Sequence, residues 1–112
     1  PAGLSRRSLE PIRPGMILSI EPGCYREGAY GIRIENLATV RSPEVPPRGE
    51  RLMLSWETLT LVPIDRRLID PALLEPGERA WIDAYHARVL AALEPLVEPG
   101  TARWLRQACA PL

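Results

Sequence analysis

Glu21 and Glu35, separated by 35 − 21 = 14 positions, are the side chains of this chain best placed to do chemistry together. Glu21 closes the short apolar run Met16-Ile17-Leu18-Ser19-Ile20, where a strand meets the turn signal Pro22-Gly23. Glu35 lies within Gly31-Ile32-Arg33-Ile34-Glu35-Asn36-Leu37-Ala38-Thr39-Val40. The first half of that segment alternates, so Ile32 and Ile34 point one way and Arg33 and Glu35 the other. Two carboxylates facing each other across a strand pair repel unless a positive group lies between them. Arg33 is one candidate, and a divalent cation is another, because hard carboxylate oxygens suit Mn²⁺, Mg²⁺, Zn²⁺ or Co²⁺. The residue types alone favour the plain Arg–Glu ion pair.

The elements that must position this pair follow from the punctuation. Pro1 to Gly15, rich in Pro, Gly and Arg, reads as extended loop, and Pro14-Gly15 turns the chain into the strand that ends at Glu21. Pro22 to Tyr30 carries Gly23 and Gly28 and reads as the connection that closes an antiparallel pair. Arg41 to Glu50 is proline-rich loop, Glu57 to Val62 a third β-rich strand, and Asp65 to Pro76 a connector. From Gly77 the period changes. Trp81, Tyr85, Val89, Ala92 and Leu96 recur at helical steps up to a break at Pro95. A second, short helix is expected over Thr101 to Cys109, with Thr101 as its cap. The fold class is α+β.

Ser19-Ile20-Glu21-Pro22-Gly23-Cys24-Tyr25 followed by Gly31-Ile32-Arg33-Ile34-Glu35-Asn36 resembles the paired signature of the pita-bread metallopeptidases, the family of aminopeptidase P, prolidase and methionine aminopeptidase. Trp56-Glu57-Thr58-Leu59-Thr60-Leu61-Val62-Pro63-Ile64-Asp65 is similar to a segment of the long-form Xaa-Pro aminopeptidases. Leu68-Ile69-Asp70, Trp81 to His86 and Trp104-Leu105 resemble that group's carboxyl-terminal extension.

The resemblance implies the carboxyl-terminal part of a pita-bread catalytic domain over residues 1–64 and a helical extension over 65–112. It implies Glu21 as a metal ligand and catalytic proton shuttle, Glu35 as the ligand bridging two metals, and Tyr25 and Arg33 as the groups that orient those carboxylates. The implied cofactors are two divalent ions, Mn²⁺ first, with Zn²⁺ or Co²⁺ as alternatives. The implied reaction is hydrolysis of an N-terminal Xaa-Pro bond by metal-activated water. Peptides with Pro at the second position are the implied partners, and the helices offer a possible homodimer contact. The family also needs two Asp and a His upstream of Glu21, which this sequence lacks. The chain therefore reads as a piece of a longer protein, inactive alone. Prolidase- or creatinase-like chemistry and a non-catalytic pita-bread interaction domain are the alternatives.

Composition narrows the remaining classes. Fourteen basic and fourteen acidic residues cancel, so no charged face argues for nucleic acid or membrane. Cys24 and Cys109 lack metal-finger spacing, and no run is apolar for long enough to span a bilayer. Two isolated thiols fit a reducing cytoplasm. Cys24 is expected to pack harmlessly at the core or its rim, and His86 to lie at the surface or the core edge.

Overall fold

The structure, a computed structural model, describes residues 9–112. The first part of the expected loop over Pro1 to Gly15 lies outside the described residues. Contacts divide the chain into two compact units, one ending at Thr60 and one spanning Leu61–Leu112.

The first unit is built from five short strands: β1 (Ile17–Ile20), β2 (Gly23–Arg26), β3 (Tyr30–Arg33), β4 (Asn36–Val40) and β5 (Trp56–Thr58). They form a three-stranded sheet in the order β1-β4-β5 and a two-stranded sheet β2-β3, antiparallel throughout. At the entrance, Gly15 takes the left-handed φ of +84° that the turn requires, and its N–H reaches the Val40 carbonyl at 2.9 Å. Leu18, Ala38 and Val40 are buried and make the small core of this unit.

The strands depart from the sequence expectation at two points. The segment from Pro22 to Tyr30 is no plain loop: it contains β2, and only Glu27 to Ala29 turn, with Gly28 at φ +69°. The expected single strand Gly31–Val40 is broken between Arg33 and Asn36. Pro22 explains the break. Having no N–H, it cannot return the bond that the Ile34 N–H gives to its carbonyl at 3.2 Å, so the ladder loses a rung there. The register nevertheless passes from one sheet to the next without a slip. Ile20 faces Asn36 and Gly23 faces Arg33, so by count Glu21 faces Glu35.

β5 is also shorter than the expected Glu57–Val62. Past Thr58, the Leu59 N–H still bonds the Leu37 carbonyl at 2.8 Å. The Leu37 N–H turns instead to the Thr60 hydroxyl, also at 2.8 Å. A side chain has taken over the ladder's acceptor.

The second unit holds three 3-10 turns, Arg66–Leu68, Pro71–Leu73 and Glu94–Leu96, and two helices, α1 (Pro76–Leu93) and α2 (Pro99–Ala108). Each helix has a proline in its first turn, where the missing N–H costs nothing. The Glu78 carboxylate accepts the Glu75 N–H at 2.9 Å and closes a capping box on α1. α2 starts at Pro99 rather than at the expected Thr101, which falls inside the first turn and caps nothing. The core is Tyr85, Val89, Leu105 and Cys109, with Leu61, Ile64, Leu90 and Leu93 against it. Burying side chains of this size contributes roughly 1.5–3 kcal/mol each.

His86 is fully buried, not at the edge, and its Nε2 accepts the Ile64 N–H at 3.0 Å. Arg66 donates to the carbonyls of Gln107 at 3.2 Å and Pro111 at 2.6 Å, closing the end of α2. Among the described residues, no helix is long and apolar enough to cross a membrane.

Candidate metal centre

Antiparallel pairs alternate between those that exchange ladder bonds and those that do not, and in the second kind the side chains stand closer. Met16 and Ile34 anchor the count: Val40 N–H bonds the Met16 carbonyl, and Ile34 N–H bonds the Pro22 carbonyl. Glu21–Glu35 is therefore a non-bonded pair, as are Ser19–Leu37, Gly23–Arg33 and Tyr25–Gly31. Six of these residues lie in the β1–β4 and β2–β3 ladders, and by the same parity Glu21 and Glu35, in the gap between the ladders, fall on the same side. The predicted site residues Glu21, Tyr25, Arg33 and Glu35 all lie on it.

Their side chains converge. Arg33 Nη1 lies 3.1 Å from Glu21 Oε2 and 3.9 Å from Glu35 Oε2, so the two carboxylates lean toward one positive point. Arg33 Nε donates to the Tyr25 hydroxyl at 2.6 Å, which fixes the other edge of the guanidinium. The hydrogen bond and electrostatic interaction with Tyr25, followed by the Glu21 charge, hold the guanidinium pKa above its ordinary value. Arg33 is thus a permanent cation at this spot. Ser19 Oγ donates to Glu21 Oε1 at 2.8 Å and steadies the second carboxylate oxygen.

Each of the three charged side chains is a little under half exposed, so the face is open and their mutual attraction is screened. Two hard carboxylates sharing one cation match the donor chemistry of a divalent ion. They are a partial set, however. No group of three or more His, Cys, Asp or Glu gathers among the described residues. A centre built on this face would take its remaining ligands from elsewhere.

Ser19, Gly23 and Gly31 were not singled out by the sequence. The parity of the ladder was the available signal, since all three stand two residues from a predicted site residue. Cys24 is exposed and, by the same parity, lies on the opposite face from the glutamates.

Comparison with known proteins gives this face its class. The C-terminal region of peptidase M24 matches residues 52–112, and metallopeptidase family M24 matches residues 1–42. The chain belongs to the M24 metallopeptidase family. Relatives that it resembles are named as Xaa-Pro or X-prolyl aminopeptidases or as aminopeptidase P. It is 40% identical over 105 residues to a probable Xaa-Pro aminopeptidase P of Laccaria bicolor, covering 91% of this chain and 16% of that one. It is 43% identical over 107 residues to aminopeptidase P2 of Arabidopsis thaliana, covering 94% of this chain and 15% of that one. Among solved structures, the X-prolyl aminopeptidase of Caenorhabditis elegans superposes with a TM-score of 0.83 at 35% identity. That match covers 96% of this chain and 18% of the other, which is described as a cytosolic enzyme with a di-nuclear active site. The chain therefore spans less than a fifth of the length of these relatives. Its antiparallel strands followed by two helices are the C-terminal part of the pita-bread fold.

Proposed function

We propose that this chain supplies two carboxylate ligands to the dinuclear centre of an Xaa-Pro aminopeptidase. Residues 1–64 belong to the catalytic domain and 65–112 to its helical extension. The observation that carries this reading is the convergence of Glu21 and Glu35 on one cationic point, 3.1 Å and 3.9 Å from Arg33 Nη1. Glu35 would be the ligand shared by two divalent ions and Glu21 a ligand of one of them. Mn²⁺ is the proposed ion, ahead of Zn²⁺ or Co²⁺, because both ligands here are hard oxygen donors. Such ions, when bound, polarise the scissile carbonyl and acidify the attacking water.

The chain's own residues do the rest. Glu21 takes the proton of the attacking water at a carboxylate oxygen and returns it to the proline nitrogen as that bond breaks. Ser19 Oγ, which donates to Oε1, keeps the carboxylate from rotating away from this task. Tyr25 and Arg33 hold the pair in register, the outer layer that keeps ligating carboxylates oriented. The substrates are peptides with Pro at the second position, as the names of the relatives suggest.

Two carboxylates are too few ligands for a cation pair, so the chain alone is inactive. The enzyme works in the cytoplasm, as the Caenorhabditis elegans protein is described to do. It pairs with a second copy through the helical unit, where Trp81 and Trp104 remain more than half exposed.

Glu35→Gln, made in the enzyme that carries this chain with its other ligands, tests the reading. Metal content should fall below two ions per chain, and Xaa-Pro cleavage should drop by at least about 100-fold. Retention of both ions and full turnover would refute the bridging role.

A further inference from the structure

Gly23 and Gly31 stand inside strands, where glycine weakens the ladder and has no side chain to pack. Backbone conformation does not require them. The described glycines with positive φ are Gly15 and Gly28, and neither strand glycine is among them. Their surroundings supply the reason. A Cβ built on Gly31 would come within 2.7 Å of Tyr25 Cδ1, and one built on Gly23 within 2.6 Å of the Tyr25 hydroxyl oxygen. The ring of Tyr25 thus lies lengthwise on the face, its base over Gly31 and its hydroxyl over Gly23. Both contacts are closer than real Cβ atoms show, so a methyl group at either position would force the rigid ring to swing away as a unit.

We propose that Gly23 and Gly31 are positioning residues of the carboxylate site. They leave a bare strip on which Tyr25 lies flat, and the flat ring delivers its hydroxyl to Arg33 Nε at 2.6 Å. With that edge fixed, the opposite edge of the guanidinium is aimed at Glu21 and Glu35. Arg33 faces Gly23 across the ladder, so the ring that lies over Gly23 ends beside the guanidinium. A methyl group at either glycine lifts the ring, frees Nε and lets Arg33 swing off the axis of the two carboxylates. The functional weight of the strip rests on the reading of Glu21 and Glu35 as metal ligands; the strip itself does not.

The test is made on the full 112-residue chain, ¹⁵N-labelled, by following the Arg33 Nε–Hε resonance and the thermal midpoint. The Arg33 resonance in the wild-type protein should be shifted and protected from exchange, and Tyr25→Phe should return it to the solvent-exposed position. Gly31→Ala and Gly23→Ala should each do the same while the amide signals of 61–112 stay put. In a Tyr25→Ser background, Gly31→Ala should leave the midpoint unchanged or raise it, because the added methyl then meets no ring. In the Tyr25 background it should lower the midpoint. An unmoved Arg33 resonance in Gly31→Ala, or an equal drop in midpoint in both backgrounds, overturns the proposal. If Gly31→Ala does not fold, folding restored by Tyr25→Ser/Gly31→Ala supports the strip and a double variant that also stays unfolded refutes it. None of these readouts involves metal, so loss of the metal reading would leave them as they stand.

Discussion

Arg33 carries one positive charge between two carboxylates, so the trio of Glu21, Arg33 and Glu35 remains one charge negative and still attracts a cation. The shape of the guanidinium matters as much as its charge. One edge serves Tyr25 while the other reaches two separate oxygens, which a compact ammonium on a flexible stem cannot do. Arg33→Lys should therefore lower metal affinity by roughly 10–100-fold in the enzyme carrying this chain, although the charge is kept. Tyr25→Phe should give a smaller loss in the same direction, measured by Mn²⁺ titration. The double variant should be no worse than Arg33→Lys alone, because both act through one guanidinium. Simple addition of the two losses would show that Tyr25 acts by some other route.

At the scale of elements, the helical unit is held by polar pins with distinct pH windows. His86 is buried with its Nε2 committed to the Ile64 N–H, so it is neutral with the proton on Nδ1. Burial lowers its pKa below the ordinary 6.5, nearby Arg66 lowers it further, and Asp83 offsets part of this. Below pH 6.5 the unfolded chain takes up a proton that the folded chain refuses, so stability should fall as the pH drops through that point. His86→Phe removes the titration and leaves the Ile64 N–H unpaired, which should cost about 1–3 kcal/mol at neutral pH. Urea denaturation between pH 5 and 8 checks both: the variant should be weaker at pH 7.5 and nearly flat with pH.

Asp65 behaves in the opposite sense. Hydrogen bonds from the side chain and backbone of Arg67 lower its pKa from 3.8 to about 2. Its support for the 3-10 turn Arg66–Leu68 should be complete above pH 3.8 and vanish as the pH falls through about 2. Asp65→Asn should abolish that acid limb and leave the His86 limb intact.

Across the whole molecule, the order of strands and helices was legible because apolar runs and prolines punctuate this sequence cleanly. Alternation in Gly31 to Glu35 placed Arg33 and Glu35 on one face, and the ladder bears that out. The strand hidden in Pro22 to Tyr30 was not legible. Gly23 and Gly28 read as turn chemistry, whereas only Gly28 turns and Gly23 makes room for a ring. The burial of His86 was equally hidden. A lone histidine one residue from the apolar stripe carries no sign that a neighbouring N–H awaits its ring nitrogen. Thr101 misled for a related reason: a good cap residue lies two positions inside a helix that Pro99 had already begun. Only His86 had its deciding partner far away in sequence, at Ile64; Tyr25 and Pro99 stand two residues from Gly23 and Thr101, and there the packing of a ring and the start of a helix decided.

The convergence of two facing carboxylates on a single cation is best tested with glutamate labelled at ¹³Cδ and Mn²⁺ added in steps. The Glu21 and Glu35 signals should broaden together, at the same Mn²⁺ concentration and ahead of every other glutamate. Glu35→Gln should weaken the broadening of Glu21. Glu35 remaining sharp while Glu21 broadens would mean that the two side chains do not share an ion.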